Sequence, residues 1–126
     1  MKHSTTILVA AALMSTTALA FQHEGHHQDS PVPAKTVKGV QTMTVTVAQG
    51  KYSPAAIAVK KGVPVAITFK GGAKMGCGST IEFKSLKQKQ SVKEGQTVTF
   101  KFTPDKAGDI AFACPMGMYQ GKVVVK

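Results

Sequence analysis

Arginine is absent from the 126 residues: all 16 basic side chains are lysines. Proteins that read nucleic acid lean on arginine for bidentate contacts to guanine and phosphate, so no nucleic-acid partner is expected. The formal charge of +10 reads instead as a solvated lysine coat, or as a docking face for an acidic partner or an anionic membrane surface. Histidine is missing from everything after His27, which excludes a serine–histidine–acid catalytic set in the rest of the chain. Beyond the leader the only acids are Glu82, Glu94, Asp105 and Asp109, with no spacing that suggests paired carboxylates. No enzyme is expected. Cysteine occurs twice, at Cys77 and Cys114, too few for a structural zinc site with four cysteine or histidine ligands. Long apolar runs are also lacking, since Ser15, Thr16 and Thr17 interrupt a first stretch that falls short of the roughly 20 residues needed to span a bilayer. No membrane span is expected.

What is present begins with an export pattern. Lys2 supplies a positive start, Ile7 to Leu13 an apolar middle, and Ala18-Leu19-Ala20 a small-x-small cleavage site. Residues 1–20 are therefore expected to be a cleaved signal peptide, with the mature chain starting at Phe21 in the periplasm or outside the cell. No cysteine follows the cleavage site, so no lipid anchor is expected. Cleavage leaves 106 residues and lowers the charge to +9 through loss of Lys2, a common size for one domain with one core. Residues 21–40 read as a flexible polar leader containing His23, His26 and His27, and residues 41–126 as the folded domain.

From Thr42 the pattern changes to a period of two. Met43, Val45 and Val47 alternate with threonines; Ile57 and Val59 continue, and Lys61-Gly62 turns the chain. Val63, Val65, Ile67 and Phe69 alternate next, stopped by Gly71-Gly72. Ile81 with Phe83, then Val98, Phe100 and Phe102, then Ile110 with Phe112, and finally Val123 with Val125 complete the set. Residues 84–95 carry no clear period. About seven short strands with turn signals between them, and no amphipathic helix, predict an all-β antiparallel sandwich of Greek-key type.

The chemistry concentrates in Met75-Gly76-Cys77-Gly78 and in Cys114-Pro115-Met116-Gly117-Met118. Sulfur falls on every second position, and in extended backbone alternate side chains point the same way. Cys114, Met116 and Met118 are thus expected to present three sulfurs to one side, with Cys77 and, more weakly, Met75 adding two from another loop. Thiolate and thioether are soft ligands that select Cu(I). A blue-copper site needs two histidines with one cysteine, which the domain cannot supply. Against this stand two plainer readings. Methionine often fills core gaps, and two cysteines in an exported chain ordinarily form a disulfide.

The chain resembles the cupredoxin-like family over roughly residues 40–125. The stretches that carry the likeness are 52–65 (YSPAAIAVKKGVPV), Cys77, Phe102-Thr103-Pro104 with Gly108, 110–118 (IAFACPMGM) and 121–125 (GKVVV). Within that family it looks like the branch in which cysteine and methionine replace the two histidines, found as copper-tolerance proteins and as domains accompanying heavy-metal-transporting ATPases. The resemblance implies Cu(I) binding, storage or hand-over. It places Cys77 as the first ligand, Cys114 as the central thiolate and Met116 and Met118 in the ligand loop; Met75 has no counterpart. Pro115 stands where glycine is common.

If the chain starts at Phe21, the free amine, the amides of Gln22 and His23 and the His23 imidazole can enclose Cu(II) or Ni(II) in a square plane, with His26 and His27 as further donors. The function expected is an exported protein that buffers or delivers Cu(I) to a copper transporter or chaperone with an acidic docking face. Two alternatives stay open: a blue-copper-like electron carrier completed by histidine from the leader, and a non-metal sandwich held by a Cys77–Cys114 disulfide.

Overall fold

The computed structural model describes residues 30–126, and these form two packed β-sheets with no α-helix. Eleven strands build them: β1 (Val32–Pro33), β2 (Lys35–Val37), β3 (Val40–Ala48), β4 (Lys51–Ser53), β5 (Ala56–Val59), β6 (Val65–Gly71), β7 (Thr80–Phe83), β8 (Gln88–Ser91), β9 (Thr97–Phe102), β10 (Gly108–Ala113) and β11 (Gln120–Val125). One sheet has the order β1-β5-β11-β10-β7-β8; the other has β2-β3-β6-β9, with β4 paired to β3. No helix among the described residues is long and apolar enough to cross a membrane.

Alternation creates the core. Val65, Ile67 and Phe69 point inward from β6 while Ala66 and Thr68 are only partly covered and Lys70 is exposed. Val45 and Val47 from β3, Ile81 and Phe83 from β7, Phe100 from β9, Phe112 from β10 and Val123 and Val125 from β11 meet them. Phe69 lies at the centre of an aromatic cluster, edge-on to Tyr52, Phe83, Phe100 and Phe112 at centroid separations of 5.3–6.2 Å. Such pairs add roughly 0.5–1.5 kcal/mol each beyond area burial. Between β3 and β6 the buried Gln41 donates to the carbonyls of Lys60 and Val63 and accepts from the Lys60 amide, closing the end of the sandwich where β3 begins.

The sandwich differs from the sequence expectation in three respects. Eleven strands replace about seven, because β1, β2, β4 and β8 are short and lie at or near sheet edges, where most of their side chains are exposed. An edge strand with no buried face carries no period to read. For that reason the segment expected to be leader up to residue 40 already pairs from Val32, and the aperiodic stretch 84–95 contains β8. Pairing is also mixed rather than wholly antiparallel: β1 with β5, β5 with β11 and β3 with β6 run parallel. Side-chain alternation is the same in both arrangements, so periodicity could not separate them.

Strand directions define two ends. β3 and β6 run toward the loop of residues 72–79, β10 ends at Ala113, and β11 begins at Gln120. Both sulfur-bearing loops therefore emerge at one end, together with the β3–β4 turn. The turns at Lys38-Gly39, Lys61-Gly62 and residues 103–107 occupy the other end.

Candidate metal centre

Cys114 follows the last residue of β10, and its amide donates to the Tyr119 carbonyl at 3.1 Å, closing a tight loop over residues 114–119. Gly117 turns this loop with φ of +72°, a conformation that side-chain-bearing residues rarely adopt; its amide donates to the Cys114 carbonyl and its carbonyl accepts from Gln120 Nε2. Cys77 sits in a 3-10 turn, Gly76–Ser79, that leads into β7. The two loops meet. Cys77 Sγ lies 2.7 Å from Cys114 Sγ, both thiols being free.

The environments of the two sulfurs differ. Cys114 is 3% exposed, whereas Cys77 is half-buried. Burial pushes the Cys114 thiol up, but the Cys77 thiol hydrogen-bonded to it and the amides of Tyr119, Met118 and Met116 outweigh this and hold it below the ordinary thiol value. The Tyr119 amide lies 3.4 Å from Cys114 Sγ. The Cys77 thiol moves the other way, raised first by its hydrogen bond to Cys114 and then by desolvation and the neighbouring charge. Hydrogen bonds to the charged form of a group favour that form. Of the pair, Cys114 thus loses its proton more readily, and Cys77 holds the shared proton to higher pH.

Of the sulfur residues singled out in the sequence, Cys77 and Cys114 are brought into contact. Met116 and Met118 stand at the same mouth but are 76% and 73% exposed. Met75 is buried in the hydrophobic cluster, its Cε against the backbone at Gly71, the position of a packing residue. The expectation that alternate residues of an extended segment would align three sulfurs is corrected. Residues 115–119 turn rather than extend, so alternation does not align their side chains; the Tyr119 amide lies against Cys114 Sγ, and the amides of Met118 and Met116 also favour its charged form. The leader donors Phe21, Gln22, His23, His26 and His27 lie outside the described residues.

Tyr119 and Tyr52 were missed by sequence reasoning. The Tyr119 hydroxyl accepts from the Gly50 amide at 2.7 Å and donates to the Lys74 carbonyl at 3.3 Å, joining the β3–β4 turn to the Cys77 loop. An aromatic residue directly after Met118 was the available signal. Tyr52 packs at 5.4 Å from the Tyr119 ring and is 2% exposed, and its hydroxyl has no hydrogen-bond partner among the described residues. Burial, then the charges of Cys114 and Cys77, push its ionisation far above the usual range.

Among the described residues no group of three or more histidine, cysteine or acidic side chains converges. The donor set is therefore two thiols in contact, with two exposed thioethers at the rim. Such soft donors suit Cu(I).

Fold and site together define an all-β sandwich with a soft-donor pair at one end. A match to the cupredoxin-like domain family spans residues 5–125, and the chain belongs to that family. Among solved structures it is similar to the metal-binding domain, with Cu(I), of the Cu(I)-exporting P-type ATPase CopA of Streptococcus pneumoniae. That likeness has 29% identity and a TM-score of 0.72, covering 77% of this chain and 96% of that one. It is also similar to a copper-binding protein solved in the apo form by NMR, with 32% identity, a TM-score of 0.71, and coverage of 77% and 98%. A reduced Cu(I) form of an amicyanin variant is more distant, with 27% identity, a TM-score of 0.53, and coverage of 77% and 92%. A comparison with curated proteins gives no match.

Proposed function

We propose that the protein is an exported Cu(I)-binding protein that buffers or delivers copper through Cys77 and Cys114, without enzymatic activity. The observation that carries this reading is the 2.7 Å contact between two free thiols from loops 37 residues apart. Relatives that bind copper support it. Cys114 is the more readily ionised thiol of the pair, so Cu(I) meets its thiolate first and the Cys77 proton leaves as the second thiolate binds. Deprotonation of a ligating thiol is favoured beside a metal cation. Met116 and Met118, exposed at the mouth, are placed to receive or release the ion by thioether exchange, which suits transfer to a transporter or chaperone whose docking face is acidic. The histidines of residues 21–29 offer nitrogen donors for Cu(II).

An anaerobic Cu(I) titration against a calibrated chelator tests the sulfur reading. Cys114→Ser is expected to lose most of the affinity, and Met116→Leu and Met118→Leu each a part. Equal affinity in all variants would overturn it. Counting thiols in protein purified without reductant separates the disulfide alternative, which requires none free. An intense blue thiolate absorption with Cu(II) would favour the electron carrier.

A further inference from the structure

Packing brings the two sulfurs together. Gly78, buried in the turn that carries Cys77, faces the ring of Tyr119, the residue that closes the loop of Cys114. The Tyr119 hydroxyl accepts from the Gly50 amide and donates to the Lys74 carbonyl, tying that ring to the β3–β4 turn and to the Cys77 loop. Cys77 Sγ and Cys114 Sγ touch at 2.7 Å as free thiols, so a bond between them needs only a small further closure. Two groups held in this way act on one another as if at a concentration far above any reached in solution.

Access to the two sulfurs is unequal. Cys77 is half-buried and open to a reagent from outside, whereas Cys114 is 3% exposed. An external reagent therefore meets Cys77 first, and the sulfur in contact with Cys77 is Cys114. That is the order a dithiol needs: one accessible sulfur to take up a mixed disulfide and a neighbour to resolve it. A bond between the two sulfurs and a copper ion held by both thiolates use the same pair of atoms, so the two states exclude each other.

We propose that Cys77 and Cys114 form a reversible dithiol–disulfide couple that gates the copper site, with a low-molecular-weight disulfide as its oxidant. The gating rests on the sulfur reading of the site; the couple itself does not. Cys77, as thiolate, attacks one sulfur of the small disulfide. A bond from Cys77 to that sulfur forms, the small disulfide's own bond breaks, and one small thiolate leaves and takes the proton that Cys77 gave up. Cys114, as thiolate, then attacks the Cys77 sulfur, which forms the Cys77–Cys114 bond and expels the second small thiolate, the acceptor of the Cys114 proton. Two protein thiols are oxidised by two electrons, and one disulfide is reduced to two thiols. In the copper-loaded chain the sulfurs carry no proton, so water protonates the departing thiolates and copper leaves as Cu(I). Excess small thiol runs both steps backwards and reopens the site.

The test uses the full chain with oxidised and reduced glutathione as the probes, read by thiol alkylation and mass measurement. In the reduced, metal-free chain, oxidised glutathione is expected to remove both free thiols together with no adduct retained, and excess reduced glutathione to restore them. Cys114→Ser should instead keep one glutathione on Cys77. Cys77→Ser should react roughly tenfold or more slowly, because its remaining sulfur is covered. A wild-type chain that stays reduced, that retains the adduct, or whose new bond excess thiol does not reopen would overturn the couple. Equal rates for the two single variants would overturn the entry role of Cys77. The copper-loaded chain is then treated in the same way beside a Cu(I) chelator. Oxidised glutathione is expected to speed transfer of copper to the chelator by roughly tenfold or more, in step with loss of the thiols. Closure of the thiols with copper retained would overturn the sulfur reading and the gate, leaving the couple standing. Copper that depends on Cys77 and Cys114 yet leaves no faster with oxidised glutathione would overturn the gate alone.

Discussion

The ring of Tyr119 occupies the space in which a Cβ on Gly78 would stand, with ring Cδ2 and Cζ 2.6 Å from that position. Gly78 is buried in the 3-10 turn that carries Cys77, and Tyr119 closes the loop that carries Cys114. The missing side chain at residue 78 is what lets the two loops approach until their sulfurs touch. Because the Tyr119 hydroxyl accepts from the Gly50 amide of the β3–β4 turn and donates to the Lys74 carbonyl of the Cys77 loop, the ring cannot swing aside cheaply.

Gly78→Ala is accordingly expected to destabilise the fold by about 1–3 kcal/mol, the usual cost of overpacking, and to weaken Cu(I) binding by forcing the loops apart. Chemical denaturation and chelator competition read the two effects. Wild-type values for both would show that the close approach is dispensable.

Tyr119→Phe keeps the ring but removes the acceptor of the Gly50 amide. A loss of about 1–3 kcal/mol is expected if that part-buried amide is left unpaired. Urea midpoints measure it. An unchanged midpoint would mean that water or another acceptor replaces the hydroxyl.

Tyr52→Phe has the opposite sign. Its buried hydroxyl has no partner among the described residues, so folding strips water from it without compensation. Removing the oxygen should leave stability unchanged or raise it by about 1 kcal/mol. A clear fall in melting temperature would reveal a partner for the hydroxyl.

Thiol titration gives a pH signature. Cys114 is held below the ordinary value of 9.0 and Cys77 above it. The depressed thiol stabilises the reduced, metal-free fold above 9.0, and that contribution is lost as pH falls through its folded value. The raised thiol stabilises below 9.0, and its contribution is lost as pH rises through its folded value. Relative to the Cys77→Ala/Cys114→Ala variant, stability should therefore peak near pH 9 and decline on both sides. Thiolate absorbance should show two separated steps, and Cys77→Ala should raise the lower one by removing its donor. A single step near 9 in the intact pair would contradict the shared proton.

Much of the fold was legible from apolar alternation. Val65, Ile67 and Phe69, or Val123 and Val125, carry their burial in their spacing, since each strand has one face in the core and one outside. Gln88–Ser91 and Lys35–Val37 could not be read this way, because edge strands are defined by backbone pairing and bury little side chain. At the site, the two cysteines were legible as soft donors. Tyr119 was not, since nothing in its neighbours announces that its hydroxyl spans to Gly50, 69 positions away.

Composition and periodicity alone settled the all-β class, the absence of imidazole beyond His27 and the two segments that supply sulfur. These are local properties, written in residue type and order. Tertiary structure decided which sulfurs meet and which of them ionises first. Those outcomes follow from strand direction and from loops closing on one another. A thiol's partner and charge are set by atoms a few ångströms away in space, whatever their distance along the chain.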